Sequence, residues 1–578
     1  MRFFAVVVSL FVFASQAEVP SRAVPEAFTG LNYQKAAYGE KAMVSAANPH
    51  AVNAGLEMLK KGGNAIDAAV AIQLVLTLVE PQSSGIGGGA FLLWFDGQTK
   101  SLTTFDGREK APSAATPDLF LDKDGKPVRW IDAVIGGRSV GVPGILKMME
   151  TVHNDKGKLP WEDLFGPAIK LAEEGFVVSP RLSKLVSMKM NPGLSKLSPA
   201  KEYFYPNGVA IKAGQKLINK PYAETLKLIS KDGTKAFYQG ILAKNMVSAV
   251  QNSEVAPGLL SLNDLRNYTA VERPPVCIDY KAPDDVYQVC SMGPPSSGGI
   301  TVLQILKLLE PYELEKSDVQ SLETVHLYSQ AAKLAFADRD KYMADSDFVN
   351  VPSEALLSDA YTKQRRAEIS QTTDMGRALP GEVGQGLVAN NVSVEQPNTT
   401  HMSIIDEYGN AVSMTSSIEM GFGSTVMVDG YLLNNQLTDF SLRPEVNGFP
   451  VANRVEGNKR PRSSMTPVIV LKDGQVHAVI GSPGGSRIIN YVGYALVALL
   501  DYGIDLQKIV DMPRISNRNG KTTLEKVDGM DELAEGLSKM GHEVTLRSLT
   551  SGIHAIVKTK KGWQGAADPR REGTATGY

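Results

Sequence analysis

The segment at residues 65–79, AIDAAVAIQLVLTLV, is apolar around almost its whole circumference when it is drawn as a helix. Asn64 can cap its first turn. The helix predicted before it has Asn48 as its cap, Pro49 in its first turn and Gly62 after its end. A helix that is hydrophobic on every side has to be covered on every side. The fold is therefore expected to bury this helix between layers.

Beyond residue 398 the sequence changes from helical to strand periodicity. Residues 399–406 and 411–418 alternate on either side of the turn EYGN, and residues 463–487 repeat the pattern around Asp473-Gly474. The apolar helix RIINYVGYALVALLDYG follows. The region from about 140 to 390 is helix-rich, with amphipathic stretches such as VHLYSQAAKLAFADRDKYM, and residues 380–398 predict an exposed connector. Segregated helix-rich and strand-rich portions predict an α+β layered body.

The first residues have the layout of a secretory signal. MRFFAVVVSLFVFASQA has one arginine, an apolar run and small residues before a predicted cut after Ala17. The run is shorter than the roughly 20 residues that span a bilayer, so a periplasmic or secreted protein is predicted, with an uncleaved anchor as the alternative. The net charge of −2, with both signs interspersed, predicts no nucleic-acid surface. In an oxidising compartment Cys277 and Cys290 could pair across a predicted hairpin, or they could remain free thiols.

Two short motifs match functional patterns by letter but not by context. GIGGGA at residues 85–90 spells a dinucleotide fingerprint, yet a helix precedes it and a strand follows, the reverse of the order that phosphate binding needs. It predicts a tight packing turn instead. GRSVG at residues 137–141 matches a nucleophile elbow around Ser139, but Pro143 marks a later helix start. Neither motif is predicted to carry chemistry.

Thr399 stands at the start of a predicted strand, directly after a polar loop. A threonine hydroxyl is a weak nucleophile until a base takes its proton, and an N-terminal α-amine, with a pKa of about 8, can be that base. The same hydroxyl can attack the preceding carbonyl and so release the amine. The position therefore raises the hypothesis of self-cleavage between Asn398 and Thr399, although paired threonines at a strand start are also common for structural reasons.

A glycine-rich turn, SPGGS at residues 482–486, lies between a predicted strand and a predicted helix. Glycines let backbone N–H groups point at a ligand, and a helix N-terminus favours negative charge. An oxyanion hole for acyl transfer would be built in this way. A plain strand-to-helix turn is the alternative.

A series of motifs runs in one order from about residue 40 to the C-terminus. They are GGNAIDAAVA at 62–71, VEPQSSGIGGGAF at 79–91, FDGREKAP at 105–112, PPSSGGI at 294–300, TTH at 399–401, LLNNQLTDFS at 432–441, KRPRSSMTP at 459–467, GSPGGSR at 481–487 and the ending DPRREGTATGY. In this combination the chain resembles the γ-glutamyltranspeptidase family. The resemblance implies an N-terminal-nucleophile hydrolase fold, a four-layer αββα sandwich of the α+β class. It also implies a proenzyme that cuts itself into a large chain, residues 18–398, and a small chain, residues 399–578, which stay together in one body.

At the nucleophile end of the site, the resemblance implies that Thr399 attacks and that its freed amine is the base. Gly484 and Gly485 would supply backbone N–H groups to the oxyanion. The hydroxyl of Ser417 would lie near the nucleophile.

At the substrate end, the resemblance implies that Arg108 holds an α-carboxylate, helped by the hydroxyls of Ser463 and Ser464. A guanidinium fork suits this role because it meets a carboxylate with two parallel bonds. Asp439, with Gln436, would hold an α-ammonium. A γ-glutamyl group presents one carboxylate and one ammonium beside its amide, so these charges fit it.

The chain departs from the family's pattern in two places. Ser417-Ile-Glu419 stands where well-studied members carry T-x-N. Serine keeps the hydroxyl, whereas Glu419 adds an anion near the ammonium site and predicts either a tighter hold on the amine or a different acyl group. Residues 442–457, LRPEVNGFPVANRVEG, are shorter than the lid of some bacterial relatives, which leaves the balance between hydrolysis and transfer open.

The predicted activity is that of an exported γ-glutamyltransferase and glutathione hydrolase, with no metal or organic cofactor. Its expected substrates are glutathione and other γ-glutamyl compounds, with water, amino acids or dipeptides as acceptors. Three alternatives remain: a glutaryl amidase of the cephalosporin acylase type on the same scaffold, an uncleaved protein that only binds γ-glutamyl compounds, and a serine hydrolase built on Ser139. Retention of Asp439, which a glutaryl group without an α-amine does not need, disfavours the first.

Overall fold

The computed structural model of the protein describes residues 28–384 and 398–578. The predicted signal peptide at residues 1–17 and most of the predicted connector at residues 380–398 lie outside the described residues. Within the described ranges, no helix combines the length and the apolar character needed to cross a membrane.

Two seven-stranded antiparallel sheets form the centre of the fold. The first sheet has the spatial order Ala37–Gly39, Gly562–Ala567, His554–Thr559, Gln475–Gly481, Val468–Lys472, Val286–Ser291 and Val276–Lys281. The second sheet has the order Thr574–Gly577, Met43–Ala46, Thr400–Ile405, Ala411–Ser417, Gly89–Phe95, Leu102–Gly107 and Val271–Arg273.

Strand Gly89–Phe95 shows how the layers are stacked, because all seven of its residues are buried. Side chains alternate across a strand, so each face contributes to a different apolar cluster. Ala90, Leu92 and Trp94 belong to a cluster that includes residues of the helices Pro49–Lys60 and Ala65–Val79. The other face belongs to a cluster with the first sheet and with the helices Gly298–Leu309, Leu322–Tyr342 and Ile488–Leu500. The order of layers is therefore helix, sheet, sheet, helix, which confirms the predicted four-layer sandwich.

The remaining elements surround this centre. The other α-helices are Trp130–Val134, Ile145–Lys156, Gly166–Glu174, Pro180–Ser187, Ala200–Phe204, Lys220–Asp232, Lys235–Tyr238, Ile241–Gln251, Leu262–Arg266, Ser353–Leu357, Asp359–Arg366, Leu506–Asp511 and Met530–Lys539. A three-stranded sheet is formed by Ile515–Ser516, Thr522–Glu525 and Val544–Arg547. Three two-stranded sheets pair Phe176–Val177 with Lys216–Leu217, Met427–Val428 with Tyr431–Leu432, and Glu445–Val446 with Phe449–Pro450.

The buried helix predicted at residues 65–79 is confirmed. Ala65–Val79 is buried along its whole length, and its capping box is complete: the Asn64 side chain accepts the Asp67 N–H, and the Asp67 carboxylate accepts the Asn64 N–H. Both predicted hairpins are also present. In the second of them Asp473 and Gly474 have positive φ angles of 51° and 70°, as a tight two-residue turn requires.

Each central sheet combines strands from before and after residue 399, among them the strand predicted after the GIGGGA turn and the hairpin predicted around Cys277 and Cys290. One expectation about a single helix was wrong. The helix Leu322–Tyr342, expected to expose a polar face, buries most of its polar side chains. These side chains have partners on other elements: Lys333 pairs with Asp374 at 2.5 Å, and Asp338 accepts from Gln304 at 2.6 Å. Paired polar groups can be buried on both sides of a helix, and periodicity alone does not reveal the partners.

Cys277 and Cys290 form a disulfide. They lie directly opposite each other in the hairpin of Val276–Lys281 and Val286–Ser291. Of the two alternatives that the sequence left open, the structure contains the pair.

Candidate active site

Thr399 immediately precedes the central strand Thr400–Ile405 and is 3% exposed. This strand pairs with Ala411–Ser417 so that Thr400 lies opposite Ser416, which brings Thr399 to the level of Ser417. The Thr399 Oγ1 atom lies 3.5 Å from Ser417 Oγ. The register of two neighbouring strands therefore places the predicted nucleophile beside a second hydroxyl.

Ser417 connects the predicted nucleophile, Thr399, to the peptide bond that precedes it. Its hydroxyl donates to the carbonyl oxygen of Asn398 at 2.9 Å and accepts the backbone N–H of Glu419 at 2.9 Å. On the other side, Arg571 Nη1 donates to the carbonyl oxygen of Thr399 at 3.2 Å. A donor on each side thus holds the backbone on both sides of the Asn398–Thr399 bond.

The glycine turn lies between strand Gln475–Gly481 and helix Ile488–Leu500. Gly484 and Gly485 have φ angles of 139° and 57°, in the region that favours glycine, and a Cβ on Gly484 would come within 2.7 Å of the Tyr491 ring. The helix that follows presents its N-terminus to the turn, which favours negative charge. Gly485 lines the same cavity as Thr399. The turn is therefore suited to accept an oxyanion formed at Thr399.

The two side chains expected to bind opposite charges of the substrate are paired with each other. Arg108 Nη2 lies 2.5 Å from Asp439 Oδ2 and also donates to the carbonyl of Arg462 at 2.9 Å. The Gln436 amide donates to the same Asp439 oxygen at 2.9 Å. The side chains of Arg108 and Asp439 are 1% and 6% exposed, so the pair is nearly dry. It forms a fixed dipole at one end of the cavity.

Glu419 adds a further carboxyl group to this end of the cavity. It is buried, and its Oε2 accepts from the Asn435 amide at 2.5 Å. Its φ angle of 76° is in the left-handed region, which asparagine adopts more readily than glutamate. The backbone of this turn thus has a conformation that suits asparagine, while the side chain present is a carboxyl group.

Ser463 and Ser464 complete the cavity wall. The Ser463 hydroxyl accepts the Met465 N–H at 3.1 Å, and the Ser464 hydroxyl accepts from Arg339 Nη2 at 2.6 Å. The backbone of Ser463 is braced by the PPSSGG segment, because Ser297 donates to its carbonyl through both N–H and Oγ at 2.7 Å. The serine pair is therefore held by the large N-terminal portion of the chain.

One cavity brings the predicted site residues together. It is lined by Arg108, Thr399, Ser417, Glu419, Gln436, Asp439, Ser463, Ser464, Met465, Gly485 and Ile488. Two predicted residues are not part of the lining: Gly484, which directly precedes Gly485, and Asn398, which directly precedes Thr399.

Glu109 is a site feature that sequence reasoning did not single out. It is fully buried, and neither carboxyl oxygen has a hydrogen-bond partner in the described residues. Burial raises the pKa of Glu109 to about 8, against the opposing effect of Arg108. Arg108 does not reverse the rise in the pKa of Glu109, because it lies 3.6 Å from Glu109 and is paired more closely with Asp439, at 2.5 Å. At neutral pH a protonated Glu109 leaves Arg108 with one carboxylate partner.

Three further residues were missed because their roles depend on contacts across the fold. Asn435 fixes Glu419, Arg339 fixes Ser464 and Arg571 fixes the Thr399 carbonyl. Asn435 and Arg571 lie within the motifs LLNNQLTDFS and DPRREGTATGY, so the motifs themselves were the available signal. No local pattern marks Arg339, which lies in the helix Leu322–Tyr342.

The two letter matches have the structural roles that were predicted. In the GIGGGA turn, a Cβ on Gly87 would collide with the Leu432 carbonyl, and one on Gly88 with the Ser417 carbonyl. Ser139 is buried in a short 3-10 turn and donates to the carbonyl of Val134 at 2.6 Å, while the next α-helix begins only at Ile145. The glycines allow close packing against the site, and Ser139 does not form an elbow.

Residues 442–457 form a short hairpin beside the charged end of the site. Strands Glu445–Val446 and Phe449–Pro450 pair around Asn447 and Gly448, whose φ angles are positive. Further along, the Asn453 amide donates to the Asp439 carbonyl at 2.8 Å and its oxygen accepts the Arg462 N–H at 2.9 Å. This segment therefore helps to fix the Arg108–Asp439 pair.

Comparison with protein-family models gives a match over residues 51–578, to the family described as gamma-glutamyltranspeptidase. Among curated proteins, the glutathione hydrolase proenzyme of Bacillus subtilis (strain 168) is 40% identical, over 98% of this chain and 95% of that protein. The glutathione hydrolase proenzyme of Escherichia coli (strain K12) is 36% identical, over 92% of this chain and 89% of that protein.

Comparison with solved structures agrees with the fold. The crystal structure of cephalosporin acylase from Bacillus halodurans has a TM-score of 0.84 and 28% identity, covering 96% of this chain and 99% of that one. The sequence matches extend through the charged cavity and the glycine turn to the C-terminus. On this evidence the chain belongs to the gamma-glutamyltranspeptidase family.

Proposed function

We propose that the protein is a self-processing γ-glutamyltransferase and glutathione hydrolase with Thr399 as its nucleophile. The observation that carries the proposal is the geometry at the Asn398–Thr399 bond. The Thr399 hydroxyl is 3.5 Å from Ser417 Oγ, and Ser417 holds the Asn398 carbonyl oxygen at 2.9 Å. Nucleophile, carbonyl and a donor to that carbonyl are thus together in a buried site, as an intramolecular attack requires.

Self-processing begins with attack of the Thr399 oxygen on the carbonyl carbon of Asn398. The negative charge that develops on the carbonyl oxygen is stabilised by the Ser417 hydroxyl, whose polarisation is strengthened by the Glu419 N–H. The C–N bond then breaks, its nitrogen takes a proton and an ester remains on Thr399. Water hydrolyses the ester, which leaves a carboxylate on Asn398 and a free α-amine on Thr399.

In turnover, the free amine of Thr399 takes the proton of its own hydroxyl as that oxygen attacks the γ-carbonyl of the substrate. The oxyanion is stabilised by the N–H groups of Gly484 and Gly485. The leaving amine, cysteinylglycine in the case of glutathione, takes the proton and departs. Water then releases glutamate from the ester on Thr399, or an amino acid or dipeptide takes the γ-glutamyl group.

Substrate selection is assigned to the charged end of the cavity. The α-carboxylate is bound by Arg108 with Ser463 and Ser464, and the α-ammonium by Asp439 with Gln436 and Glu419. Arg108 and Asp439 lie 2.5 Å apart. With the substrate carboxylate on Arg108 and the substrate ammonium on Asp439, the four charges form an array in which positive and negative groups alternate. A donor with both an α-carboxylate and an α-ammonium beside the scissile amide completes this array, which supports γ-glutamyl specificity.

A glutaryl amidase is the second candidate function. The similarity to a cephalosporin acylase structure favours it, as does Glu419 at the position of the family's asparagine. A glutaryl group lacks the α-ammonium, however, and would leave the buried carboxyl groups of Asp439 and Glu419 without a cationic partner from the substrate. The γ-glutamyl function is therefore preferred.

Two features of the mature protein are part of the same proposal. Residues 18–398 become the large chain and residues 399–578 the small chain of a heterodimer. Removal of a signal peptide at residues 1–17 delivers the protein to the periplasm or the medium. The layout of residues 1–17 as a predicted signal peptide supports this location. The disulfide between Cys277 and Cys290 supports it too, because such bonds persist in oxidising compartments.

The test is release of glutamate from glutathione by the purified protein, with Thr399→Ala and Thr400→Val as variants. Thr400 is a matched control, because its hydroxyl is equally buried yet has no hydrogen-bond partner in the described residues. We expect two chains and glutamate release from the wild type and from Thr400→Val, and one uncut, inactive chain from Thr399→Ala. Glutamate release by Thr399→Ala would contradict the assignment of Thr399 as the nucleophile. Hydrolysis of a glutaryl amide in preference to glutathione selects the second candidate.

A further inference from the structure

A second cavity of about 300 Å³ lies next to the active-site cavity and shares a wall with it. Gly485 and Ile488 face the active-site cavity, whereas Ser486 and Arg487, between them in the chain, face the second cavity. The two spaces are also joined by the hydrogen bond from Arg339, which lines the second cavity, to Ser464, which lines the first. We call this second space the cationic cavity.

The cationic cavity has five basic side chains and one acidic one in its lining, namely Arg339, Arg487, Arg518, Lys521, Arg547 and Asp340. Within residues 28–384 and 398–578, Arg339 pairs with Asp340 at 3.0 Å, and Lys521 with Glu543 at 3.4 Å. Arg518 donates to the Ser486 hydroxyl at 2.6 Å. The cavity thus has an excess of positive charge.

The three-stranded sheet explains why these groups face one way. Its strands are in register, so that Ser516, Thr523 and Thr545 form one row and Ile515, Leu524 and Leu546 form the next. Side chains alternate across a strand, and the apolar row packs into the core. The polar row lines the cavity, and Arg547, two residues beyond Thr545, projects from the same face.

Arg487 is the group that most needs an anion. It is only 6% exposed, its Nε has no hydrogen-bond partner, and no carboxylate lies within ion-pair distance of it among residues 28–384 and 398–578. Burial lowers the pKa of the guanidinium, and the nearby positive charge of Arg547 acts in the same direction. Arg547 also has no carboxylate partner in the described chain. A buried guanidinium without a counter-ion is unfavourable, and an anion placed between the two arginines would relieve it.

The part of a substrate that could reach this cavity is the part beyond the scissile amide. Under the proposed function, the carboxylate and ammonium of the γ-glutamyl group are bound within the active-site cavity by Arg108 and Asp439. The group attached to the scissile nitrogen has to extend out of that cavity. The shared wall at Gly485–Arg487 makes the cationic cavity its immediate neighbour.

We propose that the cationic cavity binds carboxylate groups on the leaving group and on the acceptor, so that the enzyme prefers acidic amino acids and acidic peptides in these positions. This inference rests on the proposed γ-glutamyl function. Arg487 and Arg547 are the specificity-determining residues, and Lys521 at the rim attracts the same groups.

The experiment compares two dipeptides of the same size, γ-glutamyl-glutamate and γ-glutamyl-glutamine, which differ by one charge on the leaving group. The wild type is expected to have the higher kcat/KM for γ-glutamyl-glutamate. In Arg547→Gln this preference should fall about tenfold to 100-fold, the range for loss of a charged hydrogen bond. Arg487→Gln should have at least the same effect. Lys539→Gln removes one positive charge at a side chain that is 74% exposed and lies outside the cavity, and it should leave the ratio unchanged.

Because Arg487 adjoins the glycine turn, its variant could fail to fold, and the half-buried Arg547 then carries the test. An unchanged ratio in Arg547→Gln, with normal turnover of γ-glutamyl-glutamine, overturns the proposal. If no γ-glutamyl compound is turned over at all, the proposed function fails instead. In that case calorimetric titration with citrate tests anion binding in the cationic cavity independently of turnover. Weaker citrate binding to Arg547→Gln than to Lys539→Gln supports an anion site, and equal binding rejects it.

Discussion

Replacement of Ser417 by alanine is predicted to slow self-cleavage at Asn398–Thr399 without preventing folding. The Ser417 hydroxyl donates to the Asn398 carbonyl at 2.9 Å, and both residues are buried, at 3% and 7% exposure. Loss of a single donor to an oxyanion raises a barrier by about 2.7–4 kcal/mol, which is roughly a 100-fold to 1,000-fold slower reaction. In the uncut chain the Ser417 hydroxyl donates to the Asn398 carbonyl oxygen, which is the atom that becomes the oxyanion during cleavage. The effect is therefore expected on the cleavage step itself.

The same substitution has a smaller effect on stability. In Ser417→Ala the Glu419 N–H loses its acceptor at 2.9 Å, and an unpaired buried donor lowers the free energy of unfolding by about 1–3 kcal/mol. A matched variant, Ser417→Thr, keeps the hydroxyl and restores the residue type that the family carries. It should cleave at a rate close to that of the wild type.

The assay is a time course of the uncut chain on a denaturing gel, starting from protein made quickly at low temperature. Intact mass identifies the cut site, and a thermal melt of each variant shows that it is folded. Folded Ser417→Ala that cuts itself as fast as Ser417→Thr would refute the reasoning. So would a folded Ser417→Thr that is as slow as the alanine variant, because the hydroxyl would then not be the active element.

Two further predictions concern the charged end of the site. Glu109→Gln should weaken the pH dependence of stability. The pKa of Glu109 is about 8 in the folded protein against an ordinary value of 4.5, so between these two pH values the folded wild type keeps a proton that the unfolded chain has lost. The contribution of Glu109 to stability is therefore greatest below pH 4.5 and is lost as the pH rises to about 8. Melting temperatures measured at about pH 5 and about pH 8 should therefore differ less in Glu109→Gln than in the wild type, and an equal difference would mean that Glu109 is ionised in the fold. Glu419→Gln keeps the side-chain shape but removes its charge, and it should raise KM for γ-glutamyl donors about tenfold, as loss of a partner for an ammonium does, while KM for a glutaryl amide stays the same or falls. Equal changes for both substrates would show that Glu419 acts on the fold of the site and not on the ammonium.

Local signals were sufficient for the elements that begin and end within a few residues. The caps at Asn48 and Asn64, the Asp473-Gly474 turn and the glycine turn before helix Ile488–Leu500 all depend on backbone conformations that particular residues favour. The buried helix Ala65–Val79 required cover on every side: the second sheet covers one side, and the neighbouring helices Pro49–Lys60, Ile145–Lys156 and Gly166–Glu174 contribute the rest. The side chains that line one cavity were identified by the motifs that the chain shares with a family, and not by these local signals.

The partners of those side chains could not be predicted in this way. Arg108 and Asp439 are 331 residues apart in sequence, and only the fold brings them to 2.5 Å. Similarly, the helix Leu322–Tyr342 reads as amphipathic because periodicity registers the polarity of Lys333 and Asp338 but not the buried partners that satisfy them. Electrostatic consequences such as the raised pKa of Glu109 depend on burial, which is a property of the whole fold.

The architecture also explains how a chain could be cut at its active site and keep its shape. The bond between Asn398 and Thr399 lies just before the strand Thr400–Ile405, which pairs with Met43–Ala46 on one side and Ala411–Ser417 on the other. A cut at that bond removes one covalent link and none of these ladder hydrogen bonds. Since each central sheet contains strands from both sides of residue 399, the two pieces would share both sheets and the core between them. Under the proposed function, Thr399 would therefore gain a free amine at a position that neighbouring strands keep fixed, so the geometry of the site would not depend on the Asn398–Thr399 bond.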